Sequence, residues 1–234
     1  MDVIDRQDVA DSAGDVLDRQ LKDDLFCHQI DLIISGKQPE SRPDFRHASD
    51  AIYPVVNDNI YDVISVISKK YGLSDNLNLN WIDTSGVTSM YNLFGRLFDM
   101  KIDVDISRWD VSNVKDMSHM FENKNFNTDI SKWDVSSVKN MESMFDSSSF
   151  NGDISGWNIK SLERCPYMFS DSNFNRDISA WDVSHISNMY RMFNWSKMDR
   201  DLSSWNVSNV HNKYNMFDGT PMQNKREWWP KGYE

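Results

Sequence analysis

The chain has 234 residues, of which 39% are apolar, and this is enough for a core in one or two domains. Its formal net charge of −11 argues against a nucleic-acid ligand held through phosphate contacts, and fits a protein that meets a basic partner. The chain contains two cysteines, Cys27 and Cys165, and this number excludes a disulfide scaffold.

The first 36 residues are predicted to form a helix after a polar lead, because apolar residues from Val9 to Ile30 recur at helical spacing. The opposite face of this helix carries an acidic stripe, formed by Asp8, Asp11, Asp15 and Asp18. The stripe is either a solvated helix face or a surface that docks on a basic partner. The start of the chain has no basic region followed by an apolar run, and no apolar stretch is long enough to span a membrane. We therefore expect no standard secretory signal and, from the sequence as written, a cytoplasmic protein.

Residues 1–50 are interpreted as a helical segment followed by a polar linker that contains Pro39 and Pro43. The apolar face of the segment must be buried against the next helix, a partner, or a second copy of itself in a homo-oligomer. Residues 51–77 are predicted to contain a second helix, which begins near Asn57 and ends at Gly72. We expect this helix to cap the open end of a repeat array.

A string of 24 residues that begins at Asp105 dominates the rest of the chain, and it restarts at Asp129, Asp153, Asp177 and Asp201. Residues 78–94 match the repeat at only some positions, and we call them the worn copy; they align when Asp83 is placed on Asp110. The chain therefore has six repeats over residues 78–224. Residues 225–234 form a tail or cap. Two aromatic residues are the same in every regular copy and are interpreted as structural. They are Trp109, Trp133, Trp157, Trp181 and Trp205, and Phe121, Phe145, Phe169, Phe193 and Phe217.

Within each copy the pattern predicts a strand, a short helix and a return loop. Residues 105–111 are β-branched and aromatic, which favours a strand, and the apolar residues from Val114 to Phe121 share one face of a two-turn helix. We expect the copies to stack as an α/β solenoid, a right-handed coil similar to a leucine-rich repeat, with a helical cap at its N-terminal end.

The string D-I-S-x-W-D-V-S-x-V-x-x-M-x-x-M-F, followed by F-N-x-D-I-S, resembles the BspA-like leucine-rich-repeat surface proteins. The resemblance covers roughly residues 52–222, while residues 1–50 match no family that we recognise. It implies a bacterial surface or secreted protein that binds host molecules or other cells.

Two recurring side chains have alternative interpretations. The aspartates that open each copy either bind cations as a ladder or accept backbone N–H groups at a turn, and the turn is favoured because no copy offers a calcium loop. The tryptophans form either an exposed binding stripe or a buried stack, and their identity in every copy favours the stack.

Two variable slots are predicted to face solvent and to recognise a partner. The first variable slot holds Arg108, Lys132, Gly156, Ala180 and Ser204, and the second holds Lys115, Lys139, Glu163, Ser187 and His211.

Neither a catalytic motif nor zinc spacing is found, so we expect no catalysis, no cofactor and no metal. The leading hypothesis is a non-catalytic protein-interaction module, and the alternative is an intracellular inhibitor or immunity-type protein that uses its acidic first helix on a basic partner.

Overall fold

A computed structural model describes residues 53–73, 77–97 and 101–233. The chain divides into two units, residues 1–48 and 49–234, and all of the described residues belong to the second unit. The predictions for residues 1–50, including the acidic stripe of Asp8, Asp11, Asp15 and Asp18, lie outside the described residues.

The described part opens with strand β1, Tyr53–Val56, which leads into helix α1, Asn57–Tyr71. The predicted apolar face of this helix is buried, and its members include Ile60, Val63, Ile64 and Ile67. Strand β1 pairs in parallel with β3, Ile82–Gly86, which belongs to the worn first copy. Strand β1 therefore pairs with the first copy, and helix α1 begins at the next residue.

Neighbouring copies are joined in parallel by short strands. The remaining strands are β2 (Leu77–Asn78), β4 (Lys101–Ile102), β5 (Val104–Asp105) and β6 (Asn125–Phe126). Strand β2 pairs with β5 and β4 pairs with β6, so each pair joins equivalent residues of adjacent copies.

Single parallel bridges continue this pairing along the array. They join Ser89 to Asp116, Asp116 to Asn140, Asn140 to Arg164, Arg164 to Asn188, and Asn188 to Asn212. The first of these bridges confirms the alignment of the worn copy with the regular ones. Each copy thus lies beside the next in the same register, because the repeat length does not change along the regular copies.

The short helix predicted inside each copy is wrong. Residues 117–124 and their equivalents, which we call the turn segments, form consecutive turns in which His119 and Asn123 have φ angles of 59° and 56°. Left-handed backbone of this kind interrupts a right-handed helix. Short polar residues tolerate it best, and most copies place Asn, Ser or Asp at one or both of these points.

Hydrogen bonding explains why turns replace the helix. The N–H of His119 donates to the carbonyl of Glu142 over 2.8 Å, and the N–H of Phe121 donates to Met144 over 3.0 Å. The intervening N–H of Met120 donates three residues back, to Met117, over 3.3 Å. Alternate N–H groups therefore bond the neighbouring copy, and these bonds exist only when the copies are stacked.

The strand predicted over residues 105–111 is also wrong beyond its first residue, because Asp105 is the last residue of β5. The carboxylate of Asp105 accepts the N–H of Ser107 over 3.1 Å, which turns the chain directly after the strand.

Two ladders of stacked phenylalanine rings run through the core. In the first, Phe94, Phe121, Phe145, Phe169, Phe193 and Phe217 follow one another with ring centroids 5.2 to 5.9 Å apart. In the second, Phe126, Phe150 and Phe174 are spaced by 6.0 and 6.3 Å, and each lies about 4 Å from a ring of the first ladder. All of these rings are buried, so the ladders hold neighbouring copies together through apolar contact.

The C-terminal end of the first ladder is covered by the tail. Two short 3-10 helices, Pro221–Asn224 and Arg226–Trp228, precede Trp229, whose ring stacks on Phe217 at 5.9 Å. Tyr233 meets the same phenylalanine edge-on at 5.2 Å, and Lys231 forms a parallel bridge with Asn206. The tail thus supplies the neighbour that the last copy would otherwise lack.

Candidate protein-binding surface

The five recurrent tryptophans are buried, so the interpretation as an exposed binding stripe is wrong. Each indole Nε1 donates to a backbone carbonyl of the preceding copy. The acceptors for Trp109, Trp133, Trp157, Trp181 and Trp205 are Leu79, Ile106, Ile130, Ile154 and Ile178, at 3.0 to 3.2 Å. This hydrogen bond gives a reason why tryptophan, rather than phenylalanine, recurs at this point.

The recurrent aspartates accept backbone N–H groups, which confirms the turn interpretation. Asp105, Asp129, Asp153, Asp177 and Asp201 each bind the N–H group of the serine two residues later, at 2.9 to 3.1 Å. For Asp129, Asp153 and Asp177 the backbone bond is the main reason why the carboxyl pKa is lowered, while for Asp201 the serine hydroxyl contributes most. Burial opposes the lowering of the Asp105 pKa, which still falls because Ser107 and Asn80 bind that carboxylate.

The first variable slot is exposed in every regular copy, as predicted for Arg108 and Lys132. It lies in the turn that each recurrent aspartate closes, and the positive charge of Arg108 helps to lower the pKa of Asp105. Lys132 acts on Asp129 in the same way.

The second variable slot is exposed as well, at Lys115, Lys139, Glu163, Ser187 and His211. Its backbone belongs to the parallel ladder, because the N–H of Lys139 donates to the carbonyl of Lys115 over 2.8 Å, and Glu163 donates to Lys139 over 2.9 Å. The side chains of Lys139 and Glu163 form an ion pair of 2.7 Å across two copies. The structure therefore places one column of varying side chains on the surface, one residue from each copy.

A third set of side chains, half-buried or exposed, was not identified from the sequence. The turn segments bury their apolar residues and leave two pairs of positions between them, which are buried in some copies and half-buried or exposed in others. In the last three copies these positions carry a group that we call the aromatic patch: Tyr167, Tyr190, Arg191, Trp195 and Tyr214. Tyrosine, tryptophan and arginine are the residues that most often dominate the energy of protein interfaces.

Contacts between neighbouring copies assemble the aromatic patch. The rings of Tyr167 and Tyr190 meet edge-on at 5.2 Å, and the guanidinium of Arg191 lies 5.2 Å from the centroid of Tyr190. The backbone N–H of Arg191 donates to the carbonyl of Tyr214 over 3.0 Å, which joins the next copy to the group. Burial, followed by the hydrogen bond with Tyr190, raises the pKa of the Tyr167 hydroxyl above its ordinary value.

Trp195 and Tyr214 are the most exposed members of the aromatic patch, with 67% and 73% of their surface in solvent. Trp195 has a φ angle of 59°, and its ring packs against Gly219, where an added Cβ atom would come within 2.5 Å of the indole. Glycine at this point lets the indole lie flat on the backbone of the next copy.

Two aspartates lie next to Trp195 in the backbone ladder of the turn segments. The N–H of Trp195 donates to the carbonyl of Asp218 over 2.7 Å, and the N–H of Asp171 donates to Asn194, the residue before the tryptophan, over 2.7 Å. Both aspartates are exposed. Further along the same turns, the pKa of Asp146 is raised, mainly by burial and then by the charge of Glu122, with a smaller effect from Asp171. Successive turn segments before Trp195 therefore each carry an acidic residue: Glu122, Asp146 and Asp171.

A smaller aromatic group occupies the opposite end of the array. Tyr91 meets His119 edge-on at 5.7 Å, and His119 contacts Glu122 at 2.7 Å. Arg96 lies between the rings of Tyr91 and Tyr61, at 5.3 and 5.6 Å from their centroids, and so joins the first copy to helix α1. The tyrosine rings of this group are therefore already paired with a cation of the same chain, Arg96.

Comparison of the copies gives part of the signal for the aromatic patch. The place of Tyr190 and Tyr214 is taken by Ser118, Glu142 and Pro166 in other copies, so the position varies in identity. Ser118 and Pro166 are buried, so its exposure varies from copy to copy as well. The signal was missed because these residues were assigned to a helix, whose outward face differs from that of the turns.

Within residues 53–73, 77–97 and 101–233, no group of three or more His, Cys, Asp or Glu residues is placed to hold a metal ion. The same part of the chain has no helix that is long and apolar enough to cross a membrane.

A family model described as "Mycoplasma protein of unknown function, DUF285" matches residues 62–173 and, in a second match, residues 168–229. The two matches together contain the worn copy, the regular copies and most of helix α1. No curated protein and no solved structure matches the chain.

Proposed function

The chain belongs to the DUF285 family of mycoplasma proteins, and we propose that it is a non-catalytic module that recognises a protein partner through the outward positions of its repeats. A finer assignment is proposed from the repeat string, which resembles that of the BspA-like surface proteins. On this assignment the chain acts at a cell surface or after secretion.

We also propose that the copies form a right-handed solenoid of six coils, similar to a leucine-rich repeat, over residues 78–224. The parallel bridges between equivalent residues support the stacking. The right hand is expected from the crossover preference of parallel strands. In this arrangement residues 51–77 close the first coil and residues 225–234 close the last.

One observation carries the proposed function: the copies are uniform inside and different outside. Tryptophan, phenylalanine and the turn aspartates recur because each holds a neighbouring copy or a turn in place. The exposed slots change from Arg108 to Gly156 in one column and from Lys139 to His211 in another. A surface of this kind presents a distinct set of side chains on a constant scaffold, which is the arrangement that repeat proteins use for binding.

Selection from a random peptide library on the immobilised full-length chain tests this function. We expect enrichment of peptides that bind the chain and do not bind an unrelated protein of equal net charge. Variants at outward positions, such as Lys115→Ser with Lys139→Ser or Trp195→Ala with Tyr214→Ala, should reduce binding. The melting temperature should stay nearly unchanged, because Ser187 already occupies the second slot and an exposed ion pair contributes little. No enrichment, or binding unaffected by every outward variant, would contradict the proposed function.

The inhibitor alternative is separated by one more variant of the full-length chain. Replacing Asp8, Asp11, Asp15 and Asp18 with asparagine removes the acidic stripe without shortening the chain. Loss of binding in this variant alone would favour the alternative, whereas we expect its binding to match that of the unchanged chain.

A further inference from the structure

Surface aromatic rings of this protein are repeatedly paired with cations of the same chain. Arg96 lies over Tyr61 and Tyr91, and Arg191 lies over Tyr190. In the tail, Lys225 is 4.1 Å from the ring centroid of Trp228, and Arg226 is 5.5 Å from that of Trp229. A cation over a ring face is attracted by the negative electrostatic potential of that face.

The two most exposed rings of the aromatic patch depart from this pattern. Among the residues that the structure describes, no lysine or arginine lies over Trp195 or Tyr214, although these side chains are 67% and 73% exposed. Trp195 is held on one side by Gly219 and leaves the rest of its ring to solvent. As far as the described residues show, both rings therefore leave a face open to a cation from another molecule.

Two exposed aspartates near Trp195 would also attract a cation, and they outnumber Lys197, the exposed lysine two residues after the tryptophan. The tryptophan stands between Asp171 and Asp218 in the ladder of turn segments, and both carboxylates are exposed. Burial is the main reason why the pKa of the Tyr233 hydroxyl is raised, and the charge of Asp218 adds to that effect. The whole chain carries a formal charge of −11, so its long-range field also attracts a basic partner.

Arg191 is the one basic member of the aromatic patch, and its position is consistent with this view. Its guanidinium is already placed over Tyr190, and its charge also acts on Tyr167. It therefore shows, within the chain, the type of contact that the neighbouring rings can make with a partner.

We propose that the aromatic patch binds a basic peptide segment of a partner protein, with lysine or arginine side chains over Trp195 and Tyr214 and between Asp171 and Asp218. This inference rests on the proposed function and specifies the site and the chemistry of the partner. The aromatic rings provide desolvated contact, and the carboxylates pair with the ammonium or guanidinium groups. The group around Tyr91 is excluded because Arg96 already occupies its ring.

Fluorescence anisotropy on the full-length chain tests the inference. The probes are a fluorescein-labelled peptide that alternates arginine and serine and a second peptide in which glutamate replaces arginine. We expect the arginine peptide to bind, the glutamate peptide not to bind, and the affinity to fall as salt is added.

Two pairs of substitutions locate the binding site. Trp195→Ala with Tyr214→Ala should weaken binding of the arginine peptide at least tenfold, and Trp195→Phe should retain part of the affinity because phenylalanine keeps a ring face. Tyr91→Ala is the matched control, since it removes a ring from the equivalent position of the first copy, and it should leave the affinity unchanged. Asp171→Asn with Asp218→Asn should weaken binding and reduce its dependence on salt.

The results also separate this inference from the proposed function. The inference would be overturned if the double variant of Trp195 and Tyr214 bound the arginine peptide as tightly as the unchanged chain does. It would also be overturned if the unchanged chain preferred the glutamate peptide. If the library selection described above still yields peptides that need other outward positions, the proposed function stands without the inference. If neither the library nor the arginine peptide binds, both are wrong.

Discussion

The indole Nε1 of Trp157 donates a hydrogen bond of 3.1 Å to the backbone carbonyl of Ile130, which lies in the preceding copy of the repeat. The ring is buried and the carbonyl belongs to a buried residue. The same bond is made by the equivalent tryptophan of every regular copy, so the copies are joined by a polar contact as well as by their stacked phenylalanine rings.

Replacing this tryptophan with phenylalanine keeps an aromatic ring and removes the donor. We expect Trp157→Phe to lower the free energy of unfolding by about 1–3 kcal/mol, because the carbonyl of Ile130 is left buried without its partner. Urea denaturation measures the change. Trp195→Phe is the matched control, and the exposed position should show no loss beyond about 0.5 kcal/mol. Equal losses in both variants would show that the indole bond is unimportant.

Phe169 lies in the middle of the first ring ladder, 5.7 Å from both Phe145 and Phe193. We expect Phe169→Ala to cost about 3–5 kcal/mol in unfolding free energy, because it leaves a cavity in a closely packed core. Amide hydrogen exchange should show faster opening in the two neighbouring copies, since each supports the next. Tyr214→Ala removes an exposed ring and serves as the control. Exchange that is faster in one copy only would contradict the expected coupling.

Gly219 has a φ angle of 74° and lies beneath the ring of Trp195. Asn123, Ser147 and Asp171 adopt similar values at equivalent positions, because short polar residues tolerate a positive φ angle better than alanine does. In Gly219→Ala the backbone would be strained at this φ angle and the added Cβ atom would displace the indole, so we expect a loss of about 1–3 kcal/mol in unfolding free energy. Gly156→Ala is the matched control, because open space surrounds that glycine, and its melting temperature should be unchanged.

The aspartates that close turns make the stability of the fold decrease as the pH is lowered into the acid range. The pKa of Asp134 is lowered, mainly by the Ser136 hydroxyl and then by the Ser136 N–H, and Asp182 has the same arrangement with Ser184. A lowered folded-state pKa means that the folded chain binds fewer protons than the unfolded chain below about pH 5. This contribution is present above the unfolded pKa, near 3.8, and is lost as the pH falls through the folded pKa.

Asparagine provides a direct test of this dependence. Asn158 and Asn206 occupy the equivalent places in other copies and accept the same type of N–H bond, at 3.3 and 3.1 Å. We expect Asp134→Asn with Asp182→Asn to keep the turns and to flatten the fall in melting temperature between about pH 5 and pH 2. An unchanged pH profile would show that these carboxylates do not contribute to acid sensitivity.

Burial raises the pKa of the Cys165 thiol to about 12. The thiol is therefore protonated at neutral pH and shielded from reagents. In a Cys27→Ser variant we expect no reaction of the folded chain with an aromatic disulfide reagent at pH 8, and one reacting thiol per chain in denaturant. Rapid labelling of the folded variant would show that the copy around Cys165 opens readily.

Much of the architecture could be predicted from the residues alone. The repeat alignment, including the worn copy, places Ser89 beside Asp116 and Phe94 against Phe121, as the structure has them. The helix after Asn57 and its buried face were predicted as well. These features follow from side-chain chemistry that recurs at a fixed interval, so comparison of the copies separates buried positions from exposed ones.

Local backbone conformation was decided only by the tertiary structure. The apolar spacing from Val114 to Phe121 is typical of a helix, yet the chain turns because the N–H groups of His119 and Phe121 bond carbonyls of the next copy. A single copy contains none of these acceptors. The aromatic patch depends on the same fact, since Tyr167, Tyr190 and Tyr214 come together only through stacking. The sequence by itself determined which residues repeat and which are buried, whereas contacts between copies decided how each copy turns and which side chains meet on its surface.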